Sequence, residues 1–423
     1  MSLVYIISAE CARGKMDTEK IKRFLQVNGI EETRSLEKAD YVYIGTCGFT
    51  QYAEDQSLKI IEKVIDTAKQ NARIIIGGCL PAINQPRLLA LGKELIYLKS
   101  KDIEDIEAII AKKAVTFKDF AKLDTEIYID KGEGGIEPVA QRIRRYFFEF
   151  GLSVVLHRVY YIFKTALGAL AVFLCGKTVE KKIKDMAMVE ISRGCLGNCS
   201  YCAIKFAKGR LKSKSLDEIV SEFKRCISSG HERVRLIAAE SGCYGMDINT
   251  TFVRLMSALI NIPGSKELLI DGMHPYWLIK YQNRLIDIFC AYKGRVSFIV
   301  SLQSGNNRIL NKMNRNYTVE DMKKSIMLMQ EKIPRIEFYG NIIAGFPGET
   351  SKEFKDTLSL ISALNLELLF TFKYSDRPGV EAAEFKDKLS DRVKLKRMWL
   401  AEIRQIFVYS RRIFKNSKTK TQD

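Results

Sequence analysis

Proline is scarce in this chain of 423 residues: there are eight, beside 27 glycines. That excludes collagen-like and Pro/Gly-rich low-complexity classes. Histidine is scarcer still, with only His157, His231 and His274, so a zinc site built on imidazoles has few ligands to draw on. Long charge-free apolar runs are also missing. The longest in the most apolar stretch, TALGALAVFLCG at 165–176, falls short of the roughly 20 residues that a membrane-spanning helix needs. The first residues, MSLVYIISAE, carry no basic n-region and no long apolar core, so they do not read as a secretory signal, and the expected location is cytoplasmic. No short-period repeat is visible.

What is present is a globular composition, 47% apolar and 28% charged, long enough for two or three domains. The net charge of +18, taken bare, points to a polyanion such as nucleic acid or an anionic membrane. Its distribution matters more. Residues 391–423 carry a net +7, residues 141–184 another +7, and the ten residues KFAKGRLKSK at 205–214 carry +5, which leaves the remainder close to neutral. Each zone is also readable as an ordinary solvated face.

Short β-branched and aromatic runs at 3–8, 40–46 and 73–77 alternate with helical periodicity at 17–28, closed by Gly29, and at 52–70. This alternation predicts a doubly wound, flavodoxin-like parallel sheet. From 186 onward, strand-like runs at 187–191, 234–238, 267–270, 296–300, 337–343 and 367–372 are separated by helical patterns, which predicts a full or partial (β/α) barrel. Residues 391–412 read as a final basic helix. The expected division is 1–140, a linker or insert 141–184, 185–388, and a basic C-terminal helix and tail 389–423. In the insert, 23 of the 33 residues at 143–175 are apolar. Three readings stand: an interfacial segment touching a membrane surface, a docking groove for a substrate chain, and a helical pair packed on its own protein.

There are ten cysteines, more than a cytosolic chain uses for disulfides. Cys47 and Cys79 each follow a predicted strand directly, and Cys11 follows the first at short range. Ligand sites in open α/β sheets gather at that edge, so three thiolates can meet there; the alternative is three buried small apolar residues. Cys195, Cys199 and Cys202 stand in ISRGCLGNCSYCAI at 191–204. Their C-x3-C-x2-C spacing suits three irons of a [4Fe–4S] cluster and leaves a fourth iron open. Zinc normally takes four protein ligands, and no fourth cysteine or histidine lies nearby. Cys175, Cys226, Cys243 and Cys290 show no grouping and read as packing residues.

The triplet with Tyr201 before its third cysteine resembles the radical S-adenosylmethionine superfamily. ECARGKMDTE at 10–19, YVYIGTCGFTQYAE at 41–54 and GGCLP at 77–81, placed ahead of it, resemble the N-terminal domain of the radical methylthiotransferases. AESGCYGMD at 239–247, SLQSGNNRILNKMNRNYT at 301–318, NIIAGFPGET at 341–350 and RPGVEAAEF at 377–385 extend the resemblance, which covers about 1–100 and 185–390.

The resemblance implies two [4Fe–4S] clusters, one on Cys195, Cys199 and Cys202, the other on Cys11, Cys47 and Cys79. It implies S-adenosylmethionine in two uses: a methyl donor to sulfur at the N-terminal cluster, and the source of a radical that takes hydrogen from an unactivated C–H bond. Tyr201, Glu240, Ser241, Ser301, Gln303, Ser304 and Gly345 are the implied cofactor contacts, and a flavodoxin- or ferredoxin-like protein the implied electron donor. Arg210 and Lys212 are candidates to pair with a carboxylate or phosphate. The implied substrate is a peptide or protein side chain, the class that includes ribosomally made peptides, or alternatively a tRNA adenosine. Some positions depart from the family pattern: Gly45-Thr46 stand where an Asn is usual, Asn341 replaces an Asp, and Asp376 and Val380 flank RPG differently. The family usually ends in a small tRNA-gripping TRAM barrel, and after Glu384 only 39 residues remain, with helical pattern; that barrel is expected to be absent.

Overall fold

The computed structural model describes residues 2–110, 114–129 and 186–419. Cys175 and the apolar stretch 143–175 lie outside the described residues. Strands β1 (Ser2–Ser8), β2 (Ile30–Glu32), β3 (Tyr41–Thr46), β4 (Arg73–Gly78) and β5 (Ile96–Tyr97) form one parallel sheet in the order β2-β1-β3-β4-β5. This is the flavodoxin-like strand order. β3 is buried along its whole length. Its side chains alternate between two cores, Tyr41 and Tyr43 on one face, Val42 and Ile44 on the other, as a doubly covered parallel strand must. Helix α1 (Ala12–Val27) buries Met16, Ile21, Phe24 and Leu25. Gly29, at φ +77, closes it where only glycine is unstrained. Helix α2 (Gln51–Thr67) starts on Thr50, whose hydroxyl accepts from the Ala53 amide at 3.2 Å.

The second sheet has the order β14-β13-β12-β11-β10-β7-β6. Six of its strands are mutually parallel: β7 (Ala187–Glu190), β10 (Arg233–Ile237), β11 (Glu267–Met273), β12 (Arg295–Gln303), β13 (Ile336–Ala344) and β14 (Leu368–Lys373). The two-residue β6 (Tyr128–Ile129) adds an antiparallel edge on β7. It comes from the N-terminal 140 residues, so these contribute to both sheets. Leu268, Ile270, Val296, Phe298 and Phe338 face the outer helices, whereas Leu269, Ile299 and Tyr339 pack together on the opposite side. Each parallel strand is followed by a helix, giving the open (β/α) barrel that periodicity predicts. A short ribbon, β8 (Ser192–Arg193) with β9 (Lys212–Ser213), is an addition that no sequence signal announced.

The N-terminal lobe docks on the barrel at the carboxyl ends of its strands. Asp17 of α1 pairs with Lys208 at 2.9 Å and with Arg193, and both Asp17 and Lys208 are buried. Glu54 of α2, fully buried, pairs with Arg377 at 2.5 Å, and the amide of Gln51 donates to the Ser375 hydroxyl at 3.3 Å. Arg13 donates to the carbonyl of Ala238. Apolar contact joins them too: Cys79 and Ile83 pack with Ala203, Ala207 and Val380, and Phe49 meets Phe372 edge-on at 5.3 Å. The C-terminal helix Asp391–Thr419 lies against β13, β14 and the helix Ser351–Ala363.

Candidate active site

Register aligns the N-terminal strand ends: Ser8 lies beside Gly45, and Gly45 beside Gly77. Cys11, Cys47 and Cys79 therefore leave one sheet edge. Gly78, at φ +87, lets the chain turn so that the Cys79 amide donates to the Thr46 carbonyl at 3.0 Å. A Cβ on Gly78 would sit 2.2 Å from that same oxygen. The Cys47 amide donates to Ser57 of α2 at 3.1 Å. Burial pushes the Cys47 thiol well above its usual range, with Cys11 and Cys79 next in effect. Burial likewise pushes the Cys79 thiol up to about 12, against the opposing charge of Lys208. The three thiols thus feel one another, and a bound metal is what turns such dry thiols into thiolates.

Glu10 lies beneath them. It is buried, accepts from Thr18 at 2.5 Å and from Ser8 at 3.1 Å, and burial raises its carboxyl to about 7. Its side chain occupies the space where Cβ atoms of Gly14, Gly45 and Gly78 would stand, with closest approaches of 2.6, 2.3 and 2.6 Å. That gives a physical reason for Gly45: the neighbouring Glu10 leaves no room for a side chain.

Cys195, Cys199 and Cys202 occupy the loop after β7 and β8, at the barrel mouth. Gly194, at φ +69, precedes the first, and a Cβ there would meet the Arg210 carbonyl oxygen at 2.0 Å. The Gly197 amide donates to Cys195 Sγ at 3.1 Å. Burial raises the Cys195 thiol to about 12 and also raises Cys202, with Cys199 the next cause. Among the described residues no three His, Cys, Asp or Glu side chains are close enough to hold a single metal ion. An iron–sulfur cluster places a different iron under each cysteine, so its thiolates stand farther apart than ligands around one ion.

The implied S-adenosylmethionine contacts fall into two groups. Glu240 is buried, its carboxylate accepts the amides of Gly242 and His274 at 3.0 Å each, and burial raises it to about 7. Gln303 takes a left-handed φ of 63, and its Oε1 is buried with no partner. Tyr201 packs on Phe346 with ring centres 6.4 Å apart. The Ser301 carbonyl receives Arg315 at 2.7 Å. Tyr201 belongs to the cysteine loop itself, and Arg315 ties Ser301 to Cys199 of that loop. The strained, unsatisfied Gln303 fits a site built for a polar ligand. The other three are engaged structurally. Ser241 donates to the Asp271 carbonyl. Ser304 is fully buried, accepts the Asn306 amide at 3.2 Å and sits 3.5 Å from the Thr357 hydroxyl. Gly345, at φ +79, has the stem of Lys394 where its Cβ would be, at 2.6 Å, so it faces the C-terminal helix. Arg210 and Lys212 are exposed.

Sequence reading missed several residues here. Arg315 is buried beside Cys199. His274 has burial as the main cause of a pKa near 2, so it is neutral; it stacks edge-on against Tyr317 at 5.3 Å. Asp17, Arg193 and Lys208 form an ion cluster between the lobes. Asp17 and Arg315 lie inside the motifs DTE and MNRNYT, but charged residues in a motif carry no mark of burial.

Residues 3–98 match the model of the uncharacterized protein family UPF0004, and residues 189–361 match that of the radical SAM superfamily. Over 404 residues the chain is 29% identical to a ribosomal protein uS12 methylthiotransferase RimO of Chlamydia felis, covering 93% of this chain and 76% of the relative. Over 389 residues it is 28% identical to a probable threonylcarbamoyladenosine tRNA methylthiotransferase of Pyrococcus horikoshii, covering 91% and 80%. Among solved structures, the radical S-adenosylmethionine methyltransferase TsrM of Kitasatospora setae superposes with a TM-score of 0.58 at 14% identity, over 90% of this chain and 74% of that one. The cobalamin-dependent radical enzyme OxsB gives 0.53 at 12% identity, over 94% and 56%. Those two likenesses bear on the fold alone. The order of the two matched domains, and relatives aligned across both, place this chain in the radical S-adenosylmethionine methylthiotransferase family, enzymes that work with S-adenosylmethionine and two [4Fe–4S] clusters.

Proposed function

We propose that this enzyme inserts a methylthio group at an unactivated C–H bond of a peptide or protein side chain. Cys195, Cys199 and Cys202 would hold the radical cluster, and Cys11, Cys47 and Cys79 the auxiliary one. The observation that carries this reading is that both triplets border one interface: Cys79 packs with Ala203, the neighbour of Cys202, and with Ala207. Bound there, the clusters supply electron transfer and a sulfur-carrying iron. The chain's own residues shape the site. Gln303, Tyr201 and Glu240 line the cofactor side, and the Asp17–Lys208 and Glu54–Arg377 pairs hold the N-terminal lobe over the mouth and exclude water. A flavodoxin- or ferredoxin-like donor would reduce it.

The polypeptide assignment rests on the rim. Phe49, two residues after Cys47, Leu196, next to Cys195, and Met246 and Ile248 of the loop after β10 are all exposed large apolar side chains. Such a rim suits side chains of a polypeptide better than phosphates. The tRNA reading is supported by charge: exposed Arg210 and Lys212 in the basic stretch beside the same loop, and the net +7 of residues 391–423, suit phosphates. The test is mass spectrometry of ribosomal proteins, candidate peptides and total tRNA nucleosides after reaction with anaerobically reconstituted enzyme. A methylthio adduct on polypeptide supports the assignment; an adduct on tRNA alone overturns it. Enzyme that reconstitutes with one cluster instead of about two would overturn the two-triplet reading.

A further inference from the structure

Arg315 is 5% exposed, and its guanidinium has an unusual set of partners. Nη1 donates to Cys199 Sγ at 3.3 Å and to the Tyr201 hydroxyl at 3.4 Å, and Nη2 donates to the Ser301 carbonyl at 2.7 Å. The group also lies 5.4 Å from the centre of the Tyr317 ring. Its Nε is buried without a partner, and no carboxylate is within ion-pair distance among the described residues. The other buried cations among the described residues are matched: Lys208 by Asp17, Arg377 by Glu54, Arg397 by Glu349 at 2.6 Å and Lys394 by Asp391 at 3.3 Å. Burying a cation without a counter-ion is strongly unfavourable. Arg315 is therefore a charge waiting for an anion, and the thiolates beside it, once they hold irons, supply one.

We infer that Arg315 is the counter-ion of the radical cluster: a positioning residue that acts through Cys199, ties the cysteine loop to the end of β12, and raises the cluster's reduction potential. This rests on the reading that Cys195, Cys199 and Cys202 hold that cluster. A fixed positive charge and an N–H···S bond both favour the more negative, reduced state. Loss of the charge makes the cluster harder to reduce, while the auxiliary cluster, held by other loops, serves as an internal reference.

The experiment is an anaerobic redox titration of the reconstituted full chain by electron paramagnetic resonance, comparing the parent with Arg315→Gln and Arg315→Lys. Expected for Arg315→Gln is a tenfold or greater fall in the ratio of reduced to oxidised radical cluster at a fixed poise, equivalent to a shift of about 59 mV for one electron. The auxiliary signal should not move, and Arg315→Lys should recover part of the loss because it keeps the charge. An unshifted radical-cluster titration in Arg315→Gln with parental iron content overturns the inference. If Arg315→Gln loads no iron, Arg315→Lys decides: a parental potential supports the role of charge, while a potential lowered as far as tenfold loss overturns it. Failure of the underlying reading looks different, since Cys199→Ala would then retain the signal assigned to the radical cluster.

Discussion

The two cysteine triplets reach the same interface by opposite routes. Cys195, Cys199 and Cys202 lie within one loop, so eight residues of sequence bring them together whatever the rest of the chain does. Cys11, Cys47 and Cys79 are drawn from three loops more than thirty residues apart, and only the register of β1, β3 and β4 makes them neighbours. The local triplet depends on a turn; the dispersed one depends on a sheet, on the glycines that crowd Glu10 and on the docking of a lobe. The first should tolerate global strain and the second should not.

The largest effect breaks the comparison at its chemistry. Cys202→Ala is expected to reduce 5′-deoxyadenosine release to the level without enzyme. Cys79→Ala should leave that release intact and abolish the methylthio product, because its loop belongs to the other lobe. Chromatography of 5′-deoxyadenosine beside mass spectrometry of the product separates the two outcomes, and equal loss of both in Cys79→Ala would mean the triplets are one functional unit.

Next in size is the clamp between lobes. Asp17→Ala leaves the buried Lys208 without its carboxylate and Arg193 with Glu190 alone, at a cost of about 3–5 kcal/mol in stability, read by urea unfolding. The effect has a pH signature. Burial opposes ionisation of Asp17, but Arg193 and Lys208 outweigh it and lower the carboxyl from 3.8 to about 2. A carboxylate with a depressed folded pKa adds stability above its unfolded value and loses it as pH falls through the folded one. The gap between parent and Asp17→Ala should thus be full at pH 5 and narrow toward pH 2.

Backbone strain tests the dispersed triplet more gently. Gly78→Ala forces a Cβ to 2.2 Å from the Thr46 oxygen at a positive φ, costing about 1–3 kcal/mol, and should lower iron loading of the auxiliary cluster alone. Gly197 has no positive φ, and its Cβ would meet only Cys195 Sγ at 3.2 Å and Cys199 Sγ at 3.9 Å, so Gly197→Ala should be milder. Iron counts and cluster spectra of the two variants give the check.

The same contrast explains what the sequence let us see. Alternation of β-branched runs with helical periodicity exposed both sheets, because burial on two faces leaves continuous apolar strands such as YVYIGT. The C-x3-C-x2-C motif was legible because its ligands are close in the chain. Periodicity predicts a helix from 17, yet α1 begins at Ala12; the stretch ARGKM has too few apolar residues to show a period. β6, β8 and β9 are two-residue strands whose pairing is tertiary, below any sequence signal. The buried cations were missed for the same reason: Arg315 and Lys208 look like surface residues until the fold closes around them.

The smallest expected effect asks whether the lobes are thermodynamically separate. Thr50 caps α2, three residues after Cys47. Ser215 forms a capping box with Glu218 at the start of the helix Leu216–Ser228 on the barrel. Removing either hydroxyl, in Thr50→Ala or Ser215→Ala, should cost about 1 kcal/mol. Each cap touches one lobe only. If the lobes unfold separately, circular dichroism in urea will show two transitions and each variant will move one of them. The Asp17 and Glu54 ion pairs are buried between the lobes, and opening one lobe alone would expose Lys208 and Arg377 without partners. We therefore expect one transition, moved equally by both variants, which splits in two when Asp17→Ala is added. Two transitions in the parent would show that the clamp orients the lobes without coupling their stability.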